Sequence, residues 1–438
     1  MPVMRFCLSL VVALTLVATP HGQTAATRIA SASAARAVDN GRDLAKAVPE
    51  AMGMSSERLR RLDAGMQRFV DDGRLAGVTT LLARHGKIVN VSTFGKKSLN
   101  GAEPMQRDTI FRIYSMTKPI TGVAMMMLFE EGKWRLDDPV SRYIPEFAKL
   151  QVHAGQNPDG TIKLEEARRS MTIRELLTHS AGLGYVLNPN NPVDQLIIKE
   201  QILNAAAPLQ TMIDKLAKTP LQSQPGTRWS YSIGVDVQGY LVEKLSGQPF
   251  ADFLKTRLFD PLGMKDTAFY VPKEKLGRLA RLSRDGPDGK PAPPEDKPEE
   301  ATVVPLGPSG GGGLYSTADD YLRFAQMLLN NGEFAGRRYL SPRTVQMLRT
   351  NHLQAEPLKT VRPGTGWGLG PRVVIDAAAA GEAVADGSFD WYGIGGTWFW
   401  VDPTTDVAFV GMIQQWNGRT TAEIQGLSRN LVYQALVN

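Results

Sequence analysis

The chain has 438 residues, of which 42% are hydrophobic and 21% are charged. A chain of this length and composition can bury a large core and is long enough for two domains. Its formal net charge of +6 is spread along the sequence without a block of lysine or arginine, so no nucleic-acid partner is predicted.

Residues 1–26 have the pattern of a signal peptide. Arg5 precedes an apolar run from Phe6 to Ala18, and small residues follow at Ala25 and Ala26. The apolar run is shorter than the ~20 residues that a membrane-spanning helix needs. We therefore predict cleavage, no integral membrane segment in the mature chain, and a periplasmic or secreted location.

Loss of this leader would also remove Cys7, the only cysteine. Disulfides, cysteine metal ligands and a cysteine nucleophile would then be excluded. The histidines after the leader form no HxxxH or HxH pair. The sequence therefore predicts no metal site and no cofactor.

The first predicted elements follow a loose lead-in over residues 27–50. Apolar residues at helical spacing predict a helix over 55–73. Two β-type runs, 78–86 and 87–95, meet at His85-Gly86 and predict a hairpin. The almost wholly apolar stretch 120–132 predicts a helix that is buried on most faces.

The middle of the chain, 135–302, predicts helices and loops. Helical patterns cover 172–183, 193–218 and 235–247, and the proline- and charge-rich segment 283–300 predicts a surface loop. After it come a helix capped by Ser316, two strands in GTWFWVDP and VAFVGMIQQ, and a terminal helix.

This order of elements predicts an α/β (α+β) fold in which helices flank an antiparallel sheet. The segments 51–134 and 303–438 are assigned to an α/β lobe, and 135–302 to an inserted, mainly helical lobe. We expect an active site at the seam between the two lobes.

The segment FRIYSMTKPITG places Ser115 and Lys118 three residues apart. Residues at this spacing share one side of an α-helix and eclipse each other in a 3₁₀ turn, so the hydroxyl and the amine meet in either geometry. Pro119 supports a helix start here, where free N–H groups favour a developing oxyanion. Ser115 is thus a candidate nucleophile with Lys118 as its base, and a simple helix cap is the alternative.

The segment PGTRWSYSIGVD places Tyr231 between a Pro-Gly turn and a predicted helix capped by Ser232. A tyrosine held there can direct its hydroxyl across a cleft. Beside Lys118 it would relay protons to a leaving group. A buried tyrosine with a satisfied hydroxyl is the alternative.

The late segment WYGIGGT contains Trp391, Gly393 and Ile394 and is predicted to be a strand. Glycines weaken a strand unless something must approach the backbone closely, and a substrate would do so. The backbone N–H groups of Ser115 and Ile394 would form an oxyanion hole, in which each donor contributes about 2.7–4 kcal/mol. A tightly packed bulge is the alternative.

A competing pattern is GxSxG around Ser309, which resembles the nucleophile elbow of α/β-hydrolases. That elbow requires a strand before it and a helix directly after it. Here a proline-containing run precedes successive glycines. Ser309 is therefore a weaker candidate than Ser115.

The order of SxxK, YxI and WxG is far more specific than any one motif. With LLTHSAGL, GGGGLYSTADDYLRFAQMLLN and GTWFWVDP, the chain from about residue 55 onward resembles serine β-lactamase-like hydrolases of the class C and penicillin-binding type, and most of all family VIII carboxylesterases. The resemblance implies the β-lactamase/D,D-peptidase-like fold, an acyl-enzyme on Ser115, and acid and base roles shared by Lys118 and Tyr231. Which of these two is the resting base stays open. The resemblance also implies a structural role for His179. The alternative is that His179 acts as the base for a serine.

Two positions depart from the β-lactamase pattern. Ile233 replaces an asparagine that holds the substrate amide, and Trp391 replaces a lysine that helps to hold a substrate carboxylate. Losing both groups disfavours an anionic β-lactam or peptide C-terminus. Ile233, Trp391 and Gly393 are instead predicted to contact a neutral ester.

We therefore predict a serine hydrolase that cleaves short-chain carboxylic esters of small molecules. A β-lactamase or a D,D- or D-amino-acid peptidase on the same scaffold is the second hypothesis. A catalytically idle binding domain is the third.

Overall fold

The part of the chain that is described contains sixteen strands and thirteen α-helices. The computed structural model describes residues 42–159, 161–286, 290–294, 297–416 and 418–437, so the predicted signal peptide lies outside the described residues. The strands are β1 Gly77–Arg84, β2 Lys87–Gly95, β3 Phe111–Arg112, β4 Gln151–Gln156, β5 Ile162–Glu166, β6 Ser283–Asp285, β7 Pro291–Ala292, β8 Tyr315–Ser316, β9 Glu333–Phe334, β10 Arg337–Arg338, β11 Thr365–Trp367, β12 Arg372–Val374, β13 Phe389–Tyr392, β14 Trp398–Asp402, β15 Val407–Met412 and β16 Gln415–Trp416. The α-helices are α1 Ser56–Asp71, α2 Thr117–Glu130, α3 Ile173–Leu177, α4 Pro192–Lys199, α5 Leu209–Leu216, α6 Gly234–Ser246, α7 Phe250–Leu254, α8 Asp260–Leu262, α9 Ala318–Leu329, α10 Pro342–Leu348, α11 Ala355–Leu358, α12 Ala377–Ala380 and α13 Arg419–Tyr433.

The central sheet combines strands from both ends of the described chain. Its order is β11-β12-β13-β14-β15-β1-β2, and every neighbouring pair is antiparallel. The hairpin β1–β2 confirms the predicted turn at His85-Gly86. It extends the sheet because β1 pairs with β15, with Leu81 opposite Val410.

Alternate residues of the central strands enter two hydrophobic clusters. In β15, Val410 and Met412 belong to the cluster that contains α2 and α9, whereas Val407 and Phe409 belong to the cluster that contains α1 and α13. Helices therefore cover both faces of the sheet. This explains why β1 and β15 are buried along their whole length although the sheet is antiparallel.

The predicted buried helix is α2, and it starts at Thr117, three residues earlier than predicted. Most of its side chains are buried because it lies between the sheet and the helices of the middle segment. One of them is the long side chain of Lys118, which ends in an amine and has no exposed surface. A buried lysine needs partners in the interior, and these partners form the candidate active site.

The middle segment differs from the prediction in three places. The single predicted helix over 193–218 is two helices, since α4 ends at Lys199 and α5 begins after its N-cap Pro208. The strands β4 and β5 form a hairpin that their mostly exposed, polar residues gave no pattern to predict. The predicted loop at 283–300 contributes β6, which pairs in parallel with β16.

Two helix caps also differ from the prediction. The cap of α9 is Thr317, whose hydroxyl accepts the backbone N–H of Asp320, and not Ser316. The cap of α6 is Ile233, and not Ser232. The boundaries of the two predicted lobes stay a prediction, and the cluster around α2 continues into the middle segment.

Candidate active site

Ser115 lies in a single 3₁₀ turn directly before α2. Lys118 follows in the first turn of α2, and its Nζ is 3.2 Å from Ser115 Oγ. Ser115 is partly exposed, whereas Lys118 is fully buried. The preceding residue, Tyr114, has a φ of +45°, a strained conformation of the kind that concentrates at functional sites.

Tyr231 reaches this pair from the loop before α6. The Nζ of Lys118 is 4.6 Å from the centroid of the Tyr231 ring. The Tyr231 hydroxyl lies close enough to the Ser115 side chain to interact with it and accepts Nε1–H of Trp391 at 3.2 Å. The structure therefore brings together all three predicted catalytic residues.

Burial raises the pKa of Tyr231 above its ordinary value, and its hydrogen bonds to Ser115 and Trp391 oppose this effect without cancelling it. A phenol with a raised pKa stays protonated near neutral pH. Tyr231 is thus suited to give a proton to a leaving group.

Lys118 has two further partners that the motifs do not reveal. Its Nζ donates to the carbonyl of Gly311 at 2.6 Å and lies 3.4 Å from the hydroxyl of Tyr185. Burial raises the pKa of Tyr185 as well. Because a carbonyl can only accept, the Gly311 contact fixes where the amine lies relative to Ser115.

Asp236 is a buried carboxyl group on the far side of Gly311. It accepts the backbone N–H of Gly311 at 3.0 Å and the hydroxyl of Ser309. Its Oδ2 has no hydrogen-bond partner among the described residues. Burial raises the pKa of Asp236, and the charge of Lys118 opposes that rise. Ser309 is therefore engaged by Asp236, and it lies in a turn without the strand and helix of a nucleophile elbow.

His179 supports the loop that carries Tyr231. Its Nδ1 accepts the backbone N–H of Ser232 at 3.1 Å, and its ring centroid is 4.8 Å from that of Tyr231. Burial, and next the charge of Lys118, lower the pKa of His179 well below its ordinary value. A neutral, fully buried imidazole fits the structural role that the resemblance implies.

The glycine-rich segment after β13 forms a tight turn, so the predicted strand over 394–397 is wrong. The backbone N–H of Gly393 donates to the carbonyl of Thr397 at 2.7 Å. The Thr397 hydroxyl donates to the carbonyl of Ile113 at 3.1 Å, and a Cβ at Gly393 would lie 2.3 Å from that same oxygen. Glycine permits this approach, and the turn that carries Ile394 therefore lies against the residue two positions before Ser115.

The predicted substrate-binding residues have different environments. Trp391 contacts Tyr231 and Trp367, with ring centroids 5.3 and 4.6 Å apart, and belongs to an aromatic wall. Ile233 is fully buried in the hydrophobic core. Its side chain offers no exposed surface to a substrate, which corrects the predicted contact.

Within the described ranges, no helix is long and apolar enough to cross a bilayer. The same residues include no cluster of three or more histidine, cysteine, aspartate or glutamate side chains that is arranged to hold a metal ion.

Comparison with known proteins places this site in a family. The model of the beta-lactamase family matches residues 62–433, a range that contains all three motifs. The chain belongs to the beta-lactamase family. It is a serine hydrolase of the β-lactamase-like type, as the sequence predicts.

Individual members of the beta-lactamase family match most of the chain. Protein Rv1367c of Mycobacterium tuberculosis is 36% identical over 362 residues, which cover 80% of this chain and 88% of that protein. Esterase EstB of Burkholderia gladioli is 33% identical over 368 residues, which cover 80% of this chain and 89% of EstB. The solved structure of EstCE1, described as a hydrolase with promiscuous acyltransferase activity, has a TM-score of 0.73 at 28% identity and covers 86% of this chain and 98% of its own. These likenesses confirm the predicted fold.

Proposed function

We propose that this protein hydrolyses carboxylic esters of small molecules through an acyl-enzyme on Ser115. The observation that carries the proposal is the meeting of the Ser115 hydroxyl with the Lys118 amine and the Tyr231 phenol. Similarity to EstB and EstCE1, which are named as an esterase and a hydrolase, supports it.

In the proposed acylation, Ser115 Oγ attacks the ester carbonyl while its proton passes to an uncharged Lys118. The backbone N–H groups of Ser115 and Ile394 stabilise the oxyanion. Tyr231 donates its proton to the departing alkoxide, and Lys118 returns a proton to Tyr231. A water molecule then attacks the acyl-enzyme while Lys118 takes its proton, and Lys118 returns that proton to Ser115 Oγ as the acid leaves.

Two features favour a neutral ester over a β-lactam. The second motif ends in Ile233 where the β-lactamase pattern has an asparagine, so it offers no side-chain amide to a substrate. Ile233 is also buried. Trp391 brings an aromatic ring where the β-lactamase pattern has a cation, and its N–H is engaged by Tyr231. The predicted signal peptide would place the activity outside the cytoplasm, and short acyl chains stay the sequence-based prediction.

The test is turnover of p-nitrophenyl butyrate, a chromogenic cephalosporin and a D-Ala-D-Ala peptide by the purified protein. We expect the highest kcat/KM for the ester. Ser115→Ala should reduce kcat by about 10⁴-fold or more, whereas Ser246→Ala at the end of α6 should not change it. A faster reaction with the cephalosporin or the peptide, or an active Ser115→Ala variant, would contradict the proposal.

A further inference from the structure

The loop that carries Tyr231 is held by a second segment, residues 179–184, which takes no part in the chemistry described above. Backbone N–H groups of the loop donate to carbonyl groups of this segment at 2.7–2.9 Å, and the donors are Gln222, Gly226, Ser230 and Ile233. These bonds are spread along the loop from before Tyr231 to the start of α6. The position of the Tyr231 phenol therefore depends on how this segment is folded.

Within this segment, His179 binds the backbone on both sides of Tyr231. Its carbonyl accepts the N–H of Ser230 at 2.8 Å, and its Nδ1 accepts the N–H of Ser232 at 3.1 Å. Ser230 and Ser232 are the direct neighbours of Tyr231 in the chain. A single residue thus fixes the backbone before and after the tyrosine.

The imidazole of His179 makes its contact in one protonation state only. A backbone N–H can only donate, so Nδ1 must be without a proton. Burial lowers the pKa of His179, and the neutral ring therefore carries its proton on Nε2. Nε2 has no hydrogen-bond partner among the described residues. Nδ1 is thus the ring atom that binds the loop.

The backbone of His179 is strained in a way that a merely space-filling residue would not need. Its φ is +56°, in the left-handed region that few residues other than glycine adopt. Such strain persists where the surrounding structure requires it, and it concentrates at functional sites. In this conformation both the carbonyl and the ring of His179 contact the Tyr231 loop, and the ring also packs against Trp367 with centroids 5.0 Å apart.

The step that depends on this support is the proton transfer from Tyr231 to the leaving oxygen. Such a transfer requires the two heavy atoms to be ~2.6–3.2 Å apart. The alkoxide of an aliphatic alcohol is strongly basic and leaves only as it is protonated. In contrast, p-nitrophenolate is a stable anion and leaves without that proton. Precise placement of Tyr231 therefore matters most for esters of aliphatic alcohols.

We propose that His179 is a positioning residue, which holds the Tyr231 hydroxyl where it can protonate the leaving alcohol, and that the substrates are esters of aliphatic alcohols. The proposal rests on the proposed function. As the bond from Ser115 Oγ to the carbonyl carbon forms and the bond to the alcohol oxygen breaks, the proton of Tyr231 moves to that oxygen. His179 neither gains nor loses a proton.

The experiment compares kcat/KM for ethyl butyrate and p-nitrophenyl butyrate in His179→Phe. Both esters form the same acyl-enzyme, so a difference between them arises in acylation. Phenylalanine keeps an aromatic ring but offers no acceptor to the Ser232 N–H. Because general acid catalysis contributes about 10²–10⁴-fold, we expect kcat/KM to fall about 100-fold for ethyl butyrate and at most about tenfold for p-nitrophenyl butyrate. If His179→Phe fails to fold, His179→Gly, which suits the left-handed backbone and also lacks the acceptor, should give the same split.

A conservative variant and a matched control complete the test. In His179→Asn the side-chain oxygen can replace Nδ1 as the acceptor, and asparagine tolerates the left-handed backbone. We expect it to recover most of the activity on ethyl butyrate. His153→Phe makes the same change at a half-buried histidine of β4 outside the site and should affect neither ester. An equal fall for both esters in His179→Phe, or no recovery in His179→Asn, would overturn the proposal.

A measurement without substrate separates this proposal from the proposed function. ¹⁵N NMR of protein labelled in its histidine rings reports which nitrogen of His179 carries the proton, and His179→Asn identifies the signals by their loss. We expect the proton on Nε2 at neutral pH. Turnover of neither ester by the parent protein would overturn the proposed function. Turnover of both esters with the His179 proton on Nδ1 would overturn the positioning role alone.

Discussion

At the scale of single residues, the candidate site depends on how Lys118 is held. Its amine is buried, donates to a backbone carbonyl at Gly311 and lies beside the Ser115 hydroxyl. A carboxyl group, Asp236, lies behind that same peptide. Asp236 therefore orients the Gly311 peptide, and when it is ionised it also adds negative charge near the lysine.

Replacing Asp236 by asparagine tests the effect of charge. Asparagine keeps an oxygen that accepts from Gly311 and Ser309, but it removes the negative charge that Asp236 carries when it is ionised. Loss of that charge should move the acidic limb of the kcat/KM profile to lower pH, because it removes a negative charge near the site. The measurement is the pH profile of ester hydrolysis.

The control for this variant is Asp320→Asn, the same change at a buried aspartate of α9. It should leave the acidic limb in place. A limb that stays in place in Asp236→Asn, with only a uniform loss of rate, would limit Asp236 to holding the backbone.

At the scale of secondary-structure elements, two opposing effects act on the pKa of Asp320, and burial is the larger one. It lies in the first turn of α9, where the helix dipole favours a carboxylate. Burial nevertheless raises the pKa of Asp320 to about 6, although the Asp266 N–H and the Thr267 hydroxyl donate to the carboxylate. The folded protein therefore binds this proton more tightly than the unfolded chain does.

This pKa predicts a stability effect with a definite sign. Between pH 4 and 6 the folded state holds more protons at Asp320 than the unfolded state, so stability falls as the pH rises through this window. The shift of about two units corresponds to about 3 kcal/mol. Asp320→Asn should remove this decline.

Chemical denaturation at a series of pH values measures this difference. We expect the free energy of unfolding of Asp320→Asn relative to the parent protein to rise from pH 4 to pH 6 and to stay level above that. A constant difference across the series would show that Asp320 titrates alike in the folded and unfolded chains.

At the scale of the whole molecule, sequence patterns predicted the features that form between residues close together in the chain. A spacing of three residues brings Ser115 to Lys118, and two adjacent β-type runs form the hairpin β1–β2. The residues that the sequence did not reveal act across long distances in the chain. Tyr185, Asp236 and Gly311 reach Lys118 through packing between segments, and no motif marks them.

The errors have the same origin. The glycine-rich residues 393–397 are predicted from sequence to continue a strand. In the structure they contact the backbone of Ile113 and form a turn. Ile233 is the last residue of the second motif, yet packing at the start of α6 buries it in the core. In both cases tertiary contacts, which a single sequence does not display, override the local pattern.

The central claim is that Ser115 is the nucleophile of this beta-lactamase-family hydrolase. The most direct test is intact-mass analysis of the protein after reaction with a fluorophosphonate, followed by peptide mapping. We predict one adduct per chain, located on Ser115, and no adduct on the Ser115→Ala variant. An adduct on Ser309 or another serine, or equal labelling of the variant, would contradict the account.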